Sequence, residues 1–397
     1  MDIISELNGK RILIWGYGRE GKATEHFLQR CVKPASVDIF EGKKEEIDED
    51  DYDFIIKSPG IVMNEENPKY TSETELFLQQ FRDQVIGITG TKGKSTTSAM
   101  LYTVLKACSG RPVLLLGNIG QPCLDSFEEV TEDTIIVYEM SCHQLAHTNV
   151  SPHIAIFLNL YEEHLDYYGT VEKYFEAKSH IAAYQKSGDY FFVGENVPQI
   201  DTKAQRTVLH QPKGVHYELK LAGEHNQYDA QFVERVAELL GCEKEAVLKS
   251  MADFEGLPHR LQYVGTYRGV RYYDDSISTI PEAAINAAMS IPNAKTVLIG
   301  GMDRGINYDL LVAFIREHKE FQFICAYASG KRIFGEVGDC ENCVYAEDLE
   351  QAVEAAVQMT EPGGACILSP AAASYGYFKN FEERGETFQK YVHAFAQ

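Results

Sequence analysis

Short apolar runs alternate with amphipathic stretches of helical length along almost the whole of this chain. The runs predict strands from residue 11 into Gly16, and at 37–40, 54–56, 85–88, 113–116, 134–138, 154–160, 270–273, 296–299, 321–328 and 366–368. Residues 190–222 read as strand-like and broken by turns. Helical spacing puts Met100, Leu101, Val104 and Leu105 on one face, and Ala352, Val353, Ala356 and Val357 on another within 349–359; 229–240 has the same period. Strands alternating with helices imply mostly parallel sheets covered on both sides. The expected class is α/β in three domains, at 1–84, 85–256 and 257–397, with no internal repeat and no low-complexity linker.

Composition narrows the class. The 397 residues allow several cores, and 44% apolar with 24% charged residues is the balance of an ordinary soluble protein. No apolar run reaches membrane-spanning length, and the start, MDIISELNGKRILIWG, has no signal-peptide stretch. Nine scattered cysteines, an odd count, suit free thiols in a reducing cytoplasm. Cys340-Glu-Asn-Cys343 lacks a second pair and reads as a loop coincidence rather than a zinc site. A net charge of −22 argues against nucleic acid as a partner, and means that any anionic substrate meets a local concentration of cations or metal ions. The acidic run 45–53 reads as solvated surface. A cytoplasmic monomer is the expectation.

Two glycine loops carry the chemistry, each between a strand and a helix. Gly16-Tyr-Gly18-Arg19-Glu20-Gly21 matches G-x-G-x-x-G, whose ordinary meaning is a dinucleotide site. Gly90-Thr91-Lys92-Gly93-Lys94-Ser95-Thr96 is a phosphate cradle: glycines turn backbone N–H groups to the anion, Lys94 reaches the β/γ-phosphates and Ser95 ligates Mg²⁺. Counted from Thr89 it is one residue shorter than G-x-x-x-x-G-K-[ST]. Glu139 stands at a strand's end, His164 follows the next strand, and Lys178 lies in the amphipathic stretch after it. Singly they are a cap, a surface histidine and a solvated lysine. Beside a phosphate loop they read as one site, with Ser95 and Glu139 oxygens suited to Mg²⁺.

The chain also carries, in order, GTKGKST (90–96), GNIG (117–120), EMS (139–141), N-x-x-x-x-H-L-D (159–166), EAK (176–178), GEHN (223–226) and GLPHR (256–260). With SPGI (58–61), ELF (75–77) and LSPAAASYGYFKNFEERG near the C-terminus, it resembles the Mur ligases over essentially its whole length, and among them the branch that adds glutamate. The resemblance implies a Rossmann-like N-terminal domain for the UDP of UDP-N-acetylmuramoyl-L-alanine, a central P-loop ATP-binding domain and a Rossmann-like C-terminal domain for glutamate. It implies that Gly18, Arg19, Gly21, Ser58 and Gly60 lie at the sugar nucleotide. It places Asn118, Glu139, Ser141 and His164 at the metals and the substrate. Lys178 would be carbamylated and serve as a carboxylate-like ligand to one of two Mg²⁺ ions. Gly90 to Thr96, Asn226, Arg260 and Asp275 would hold ATP, Arg260 reaching its γ-phosphate. Thr279, Arg304, Ser374, Tyr375 and Phe381 would surround glutamate. The implied reaction phosphorylates the L-alanine carboxylate, and the amine of D-glutamate attacks the acyl phosphate.

Three stretches depart from the family pattern. Asp275-Ser276-Ile277-Ser278-Thr279 replaces D-S-K-A-T, Asn159-Leu-Tyr161-Glu-Glu-His164 replaces N-T-E-D-H, and His225-Asn226-Gln-Tyr-Asp229 replaces H-N-x-x-N. The first leaves an L-glutamate-specific version open beside the D-glutamate one. A folylpolyglutamate-synthase-like ligase shares the central chemistry but is not expected to carry the first glycine-loop domain. A dinucleotide oxidoreductase accounts for the first block alone. A regulator without catalysis has no need of Glu139, His164 and Lys178 together.

Overall fold

The apolar runs fold into sixteen strands among the described residues, in three sheets. The computed structural model describes residues 2–61, 67–163, 165–211, 216–221 and 223–396, without the side chains of 165 and 166. The first sheet holds β1 (Arg11–Trp15), β2 (Ser36–Phe40), β3 (Phe54–Lys57) and β4 (Tyr70–Thr71), in the parallel order β2-β1-β3-β4. The second holds β5 (Val85–Thr89), β6 (Val113–Gly117), β7 (Ile135–Glu139), β8 (Ile154–Phe157), β9 (Tyr190–Gly194) and β10 (Gln205–Leu209), all parallel in the order β10-β9-β8-β5-β7-β6. The third holds β11 (Gln262–Tyr267), β12 (Val270–Asp274), β13 (Ala294–Ile299), β14 (Gln322–Ala326), β15 (Cys343–Ala346) and β16 (Ala365–Leu368), in the order β11-β12-β16-β13-β14-β15.

Why the runs became strands is plain in their burial. β5, β7 and β8 are buried at every position, as expected of central strands covered on both faces. In the third sheet Val297 and Ile299 join one apolar cluster and Leu298 another, the period-two split of a strand with a core on each side.

Five strands differ from the pattern's prediction, and two of them, β4 and β15, were not announced by any run. β8 stops at Phe157 rather than 160, because Leu158 donates its N–H to Thr89 O and Asn159 turns toward the phosphate loop. β14 stops at Ala326, because Tyr327 takes a left-handed φ of 62° and opens the helix Tyr327–Val337. β11 was not predicted; it pairs antiparallel with β12 across a bulge between Tyr263 and Gly265, which hides its alternation.

The chain packs as two compact units, Met1–Leu219 with Glu224–Phe254, and Lys220–Gly223 with Glu255–Gln397. The first two sheets share the first unit. One apolar cluster runs through both, with Phe27, Phe77, Phe127 and Tyr138 in it. Phe127 packs against Phe27 and Phe81 at 4.7 and 4.9 Å. Residue 84 therefore marks a change of sheet inside one packed body. The third sheet is the core of the second unit.

Candidate active site

In the first unit the phosphate loop leaves the C-terminal end of β5, flanked by β7 and β8. Gly93 caps the helix Lys94–Cys108 with φ 83°, a conformation that costs a side-chain-bearing residue energy. Asn159, at the end of β8, pins the loop: its Oδ1 accepts Lys92 N–H at 2.9 Å, its Nδ2 donates to Lys92 O at 3.1 Å, and its carbonyl accepts Thr91 N–H at 2.9 Å. Lys94 folds back, donating to Gly90 O and Thr91 O at 2.9 and 3.0 Å, and its burial pushes its pKa down. Lys92 reaches outward to Glu163 at 2.8 Å. Ser95 and Thr96 occupy the first helical turn, half-buried.

Glu139 ends β7, fully buried. Asn118 Nδ2 donates to its Oε1 at 3.0 Å, while Oε2 is buried with no hydrogen-bond partner. A buried, unsatisfied carboxylate oxygen is costly unless a cation completes it, so the donor set fits a hard divalent ion. Lys178 sits on the helix Val171–Ala183, one turn after Tyr174, and both face the loop. Its Nζ donates to Gly90 O at 2.9 Å and Thr89 Oγ1 at 3.2 Å and lies 5.0 Å from the Tyr174 ring. Burial first, and the Lys94 charge second, pull its pKa down to about 7. Thus Lys94, Ser95, Asn118, Glu139 and Lys178 gather at the ends of β5, β6 and β7 and on the covering helix. His164 lies outside the described residues.

At the first sheet, Gly16 to Gly21 follows β1, and Ser58 with Gly60 follows β3; the strand order reverses between these two parallel strands, where open α/β sheets hold ligands. Ser58 Oγ donates to Gly16 O at 2.9 Å. A Cβ on Gly21 would lie 2.2 Å from Gly16 O, so only glycine lets the helix Arg19–Cys31 approach β1. The Arg19 guanidinium donates to Gly120 O, and Glu20 accepts from Gln144 Nε2 at 2.8 Å. Gln144 closes a capping box with Ser141, which ties the first glycine loop to the residues after β7.

In the second unit, Asp275, the loop 300–305 and the loop 369–374 leave the ends of adjacent strands β12, β13 and β16. Asp275 takes Leu261 N–H at 3.1 Å, Ser278 Oγ at 2.5 Å and Ser369 Oγ at 2.7 Å; burial outweighs these bonds and raises its pKa to about 6. Arg304 is exposed and donates to Thr279 O at 3.4 Å. Met302 pairs with Ala373, which brings the Arg304 and Ser374 loops together; Ser374 is buried and Tyr375 is 61% exposed. Phe381 opens the helix Phe381–Phe395, its ring 6.1 Å from His259. Arg260 is exposed between His259 and Leu261, both at positive φ. Asn226 is buried on the helix Glu224–Leu239 of the first unit.

Four residues here were not foreseen as site residues. Asn159 locks the phosphate loop. Arg384 is 1% exposed and joins Ser276 to Ala372 O through all three guanidinium nitrogens. Asp229 is a buried acid and Glu20 a half-buried one whose carboxyl is enclosed, and desolvation pushes each up to about 7. Asn159 and Arg384 stand in motifs legible in the sequence; the burial of the two acids has no sequence signature. The thiols of Cys340 and Cys343 face different partners: Cys343 Sγ lies 3.4 Å from Cys325 Sγ, and Cys340 Sγ 3.0 Å from Lys319 Nζ.

A family model described as the Mur ligase middle domain matches residues 88–238. UDP-N-acetylmuramoylalanine--D-glutamate ligase of Geobacillus kaustophilus is 32% identical, over 98% of this chain and 94% of the relative. Its namesake in Streptococcus mutans is 31% identical, over 98% of each. Among solved structures the chain is similar to UDP-N-acetylmuramate-alanine ligase of Thermotoga maritima, with TM-score 0.59 and 18% identity over 97% of this chain and 99% of that one. It is also similar to the MurF ligase of the same organism in complex with ADP, with TM-score 0.58 and 17% identity over 98% and 96%. At such identities the structural likeness speaks for the fold alone.

Proposed function

The chain belongs to the Mur ligase family and is an ATP-dependent ligase, and we propose that it joins D-glutamate to the L-alanine carboxylate of UDP-N-acetylmuramoyl-L-alanine in cytoplasmic peptidoglycan precursor synthesis. The observation that carries this is the gathering of Lys94, Glu139 and Lys178 on one phosphate loop in a chain similar from end to end to ligases of that name. The first sheet is read as the UDP-sugar domain, the second as the ATP domain and the third as the glutamate domain, with Arg260 and Asp275 serving ATP.

A carboxylate is a poor electrophile, so ATP transfers its γ-phosphoryl group to an alanine carboxylate oxygen, and the glutamate amine then attacks the acyl carbon and expels phosphate. This chemistry needs positioning and charge neutralisation more than a protein nucleophile. Lys94 exchanges its two loop carbonyls for the β/γ-phosphates. The loop N–H groups hold the phosphate oxygens, and Arg260 balances charge on the group in transit. Ser95, Glu139 and a carbamylated Lys178, with His164 on the strength of its motif alone, would hold Mg²⁺, which would supply charge neutralisation at the phosphates. A lysine with a pKa near 7 is about half uncharged at neutral pH, which leaves a lone pair free to add CO₂ and release a proton.

The test is phosphate release from ATP with UDP-N-acetylmuramoyl-L-alanine and either glutamate enantiomer. Release that requires D-glutamate is expected. Release with L-glutamate only transfers the assignment to the L-specific ligase, the reading that Ile277 in place of a lysine leaves open. Release with a folate substrate and not with the sugar nucleotide overturns both.

A further inference from the structure

Asp229 lies on the helix Glu224–Leu239 and is 3% exposed. It abuts the phosphate loop so closely that a Cβ on Gly93 would stand 2.5 Å from Oδ2 and 2.8 Å from Oδ1. Oδ2 is buried with no hydrogen-bond partner. Among the described residues, none of the charged groups around it answers it. In the loop, Lys94 is bonded to Gly90 O and Thr91 O, and Lys92 to Glu163. The facing helix opens with that same Lys94 and continues through Ser95, Thr96, Thr97 and Ser98, which carry no charge. On its own helix, Tyr228 donates to Leu209 O and accepts Glu195 N–H, Glu234 pairs with Lys244 of the next helix, and His225, one turn earlier, is held toward its neutral form by burial. Glu195 pairs with His210.

A loop built to collect negative charge therefore has a carboxyl packed against its capping glycine. Ionised, that carboxyl opposes a polyphosphate in a poorly screened interior. Protonated, it is neutral and gains a donor. We propose that Asp229 governs the nucleotide site as a neutral acid: the loop accepts a polyphosphate with Asp229 protonated, and nucleotide binding draws a proton onto this carboxyl. Burial already raises its pKa to about 7, so the free protein is divided between the two forms at neutral pH. The bound anion raises that pKa further. Affinity is then level below about pH 7 and falls up to about tenfold per pH unit above it.

The proposal rests on the reading of Gly90 to Ser95 as the nucleotide loop, and the experiment separates the two. ADP binding is measured by titration calorimetry between pH 6 and 8.5 in buffers of different ionisation enthalpy, for wild type and Asp229→Asn. Wild type is expected to take up more protons than the variant and to lose affinity above pH 7, where the variant loses less. Equal proton uptake and equal pH dependence overturn the proposal. Absence of ADP binding at every pH in wild type overturns the loop assignment instead. NMR titration of the Asp229 carboxyl in wild type, with and without ADP, answers the same question should the variant not fold: its pKa rises on binding, and an unchanged pKa overturns the proposal.

Discussion

Two lysines share the carbonyl of Gly90, and their different surroundings set different tasks. Lys94 begins a helix and has only to leave two carbonyls to meet a phosphate. Lys94→Ala is expected to lower turnover at least about a hundredfold with the thermal midpoint unchanged, since a lost charge contact in the transition state is worth a few kcal/mol. Near-normal turnover would remove the loop from the mechanism. Lys178 is enclosed, and burial holds its pKa down, which suits the proposed carbamylation better than an ion pair. Lys178→Ala is expected to be nearly inactive and to regain part of its activity in acetate, a small carboxylate able to fill the vacated place. Full activity of the alanine variant rules the role out. At the third sheet, Arg304 is exposed and holds one long bond among the described residues, so little has to be broken for it to meet a carboxylate. Arg304→Ala should raise the glutamate KM at least about tenfold and leave that for ATP nearly unchanged. An unmoved glutamate KM places the cation elsewhere.

Elements are joined here by glycines whose missing side chain is the point of contact. Gly21 lets a helix meet β1, and Gly301 lets the Arg304 loop settle on Arg384, whose Nη1 would lie 3.0 Å from an added Cβ. Gly21→Ala forces the glycine loop apart by a contact no real Cβ makes. It should lower the thermal midpoint and abolish calorimetric binding of UDP-N-acetylmuramoyl-L-alanine, while ADP binding at the second sheet survives. Wild type is expected to bind that sugar nucleotide and not NADH, because a second phosphate loop with metal-type donors has no use in hydride transfer. Saturable NADH binding without sugar-nucleotide binding overturns the reading of the first sheet.

For the whole molecule, the buried acids set how stability depends on pH. Asp229 and Glu20 have folded-state values near 7, against ordinary values of 3.8 and 4.5. Between those limits the folded chain binds more protons than the unfolded one. Their contribution is therefore most favourable below about pH 4, is lost as pH rises toward 7, and changes little beyond. In urea unfolding at pH 5, 6, 7 and 8, Asp229→Asn should gain on wild type progressively up to pH 7, by a few kcal/mol, and then level off. A difference independent of pH means that the carboxyl is satisfied in the folded state.

Most strands of the two larger sheets, though not β11 and β15 at the edges of the third, the two glycine loops and the motif order could be read directly, because a strand buried on both faces must be apolar throughout and a phosphate cradle needs glycine and lysine in adjacent positions. Local chemistry determined those features. What the sequence could not determine was which distant residues share a place. The first two sheets fused into one packed body through Phe27, Phe81 and Phe127, aromatic residues far apart in the chain and no different in kind from any other core residue. Asn159 and Lys178 reach the same loop from other elements, and Asp229 presses on Gly93 across a helix–helix contact. A carboxyl's or an amine's proton affinity depends on how much water and charge surround it, and that environment exists only after the chain has packed.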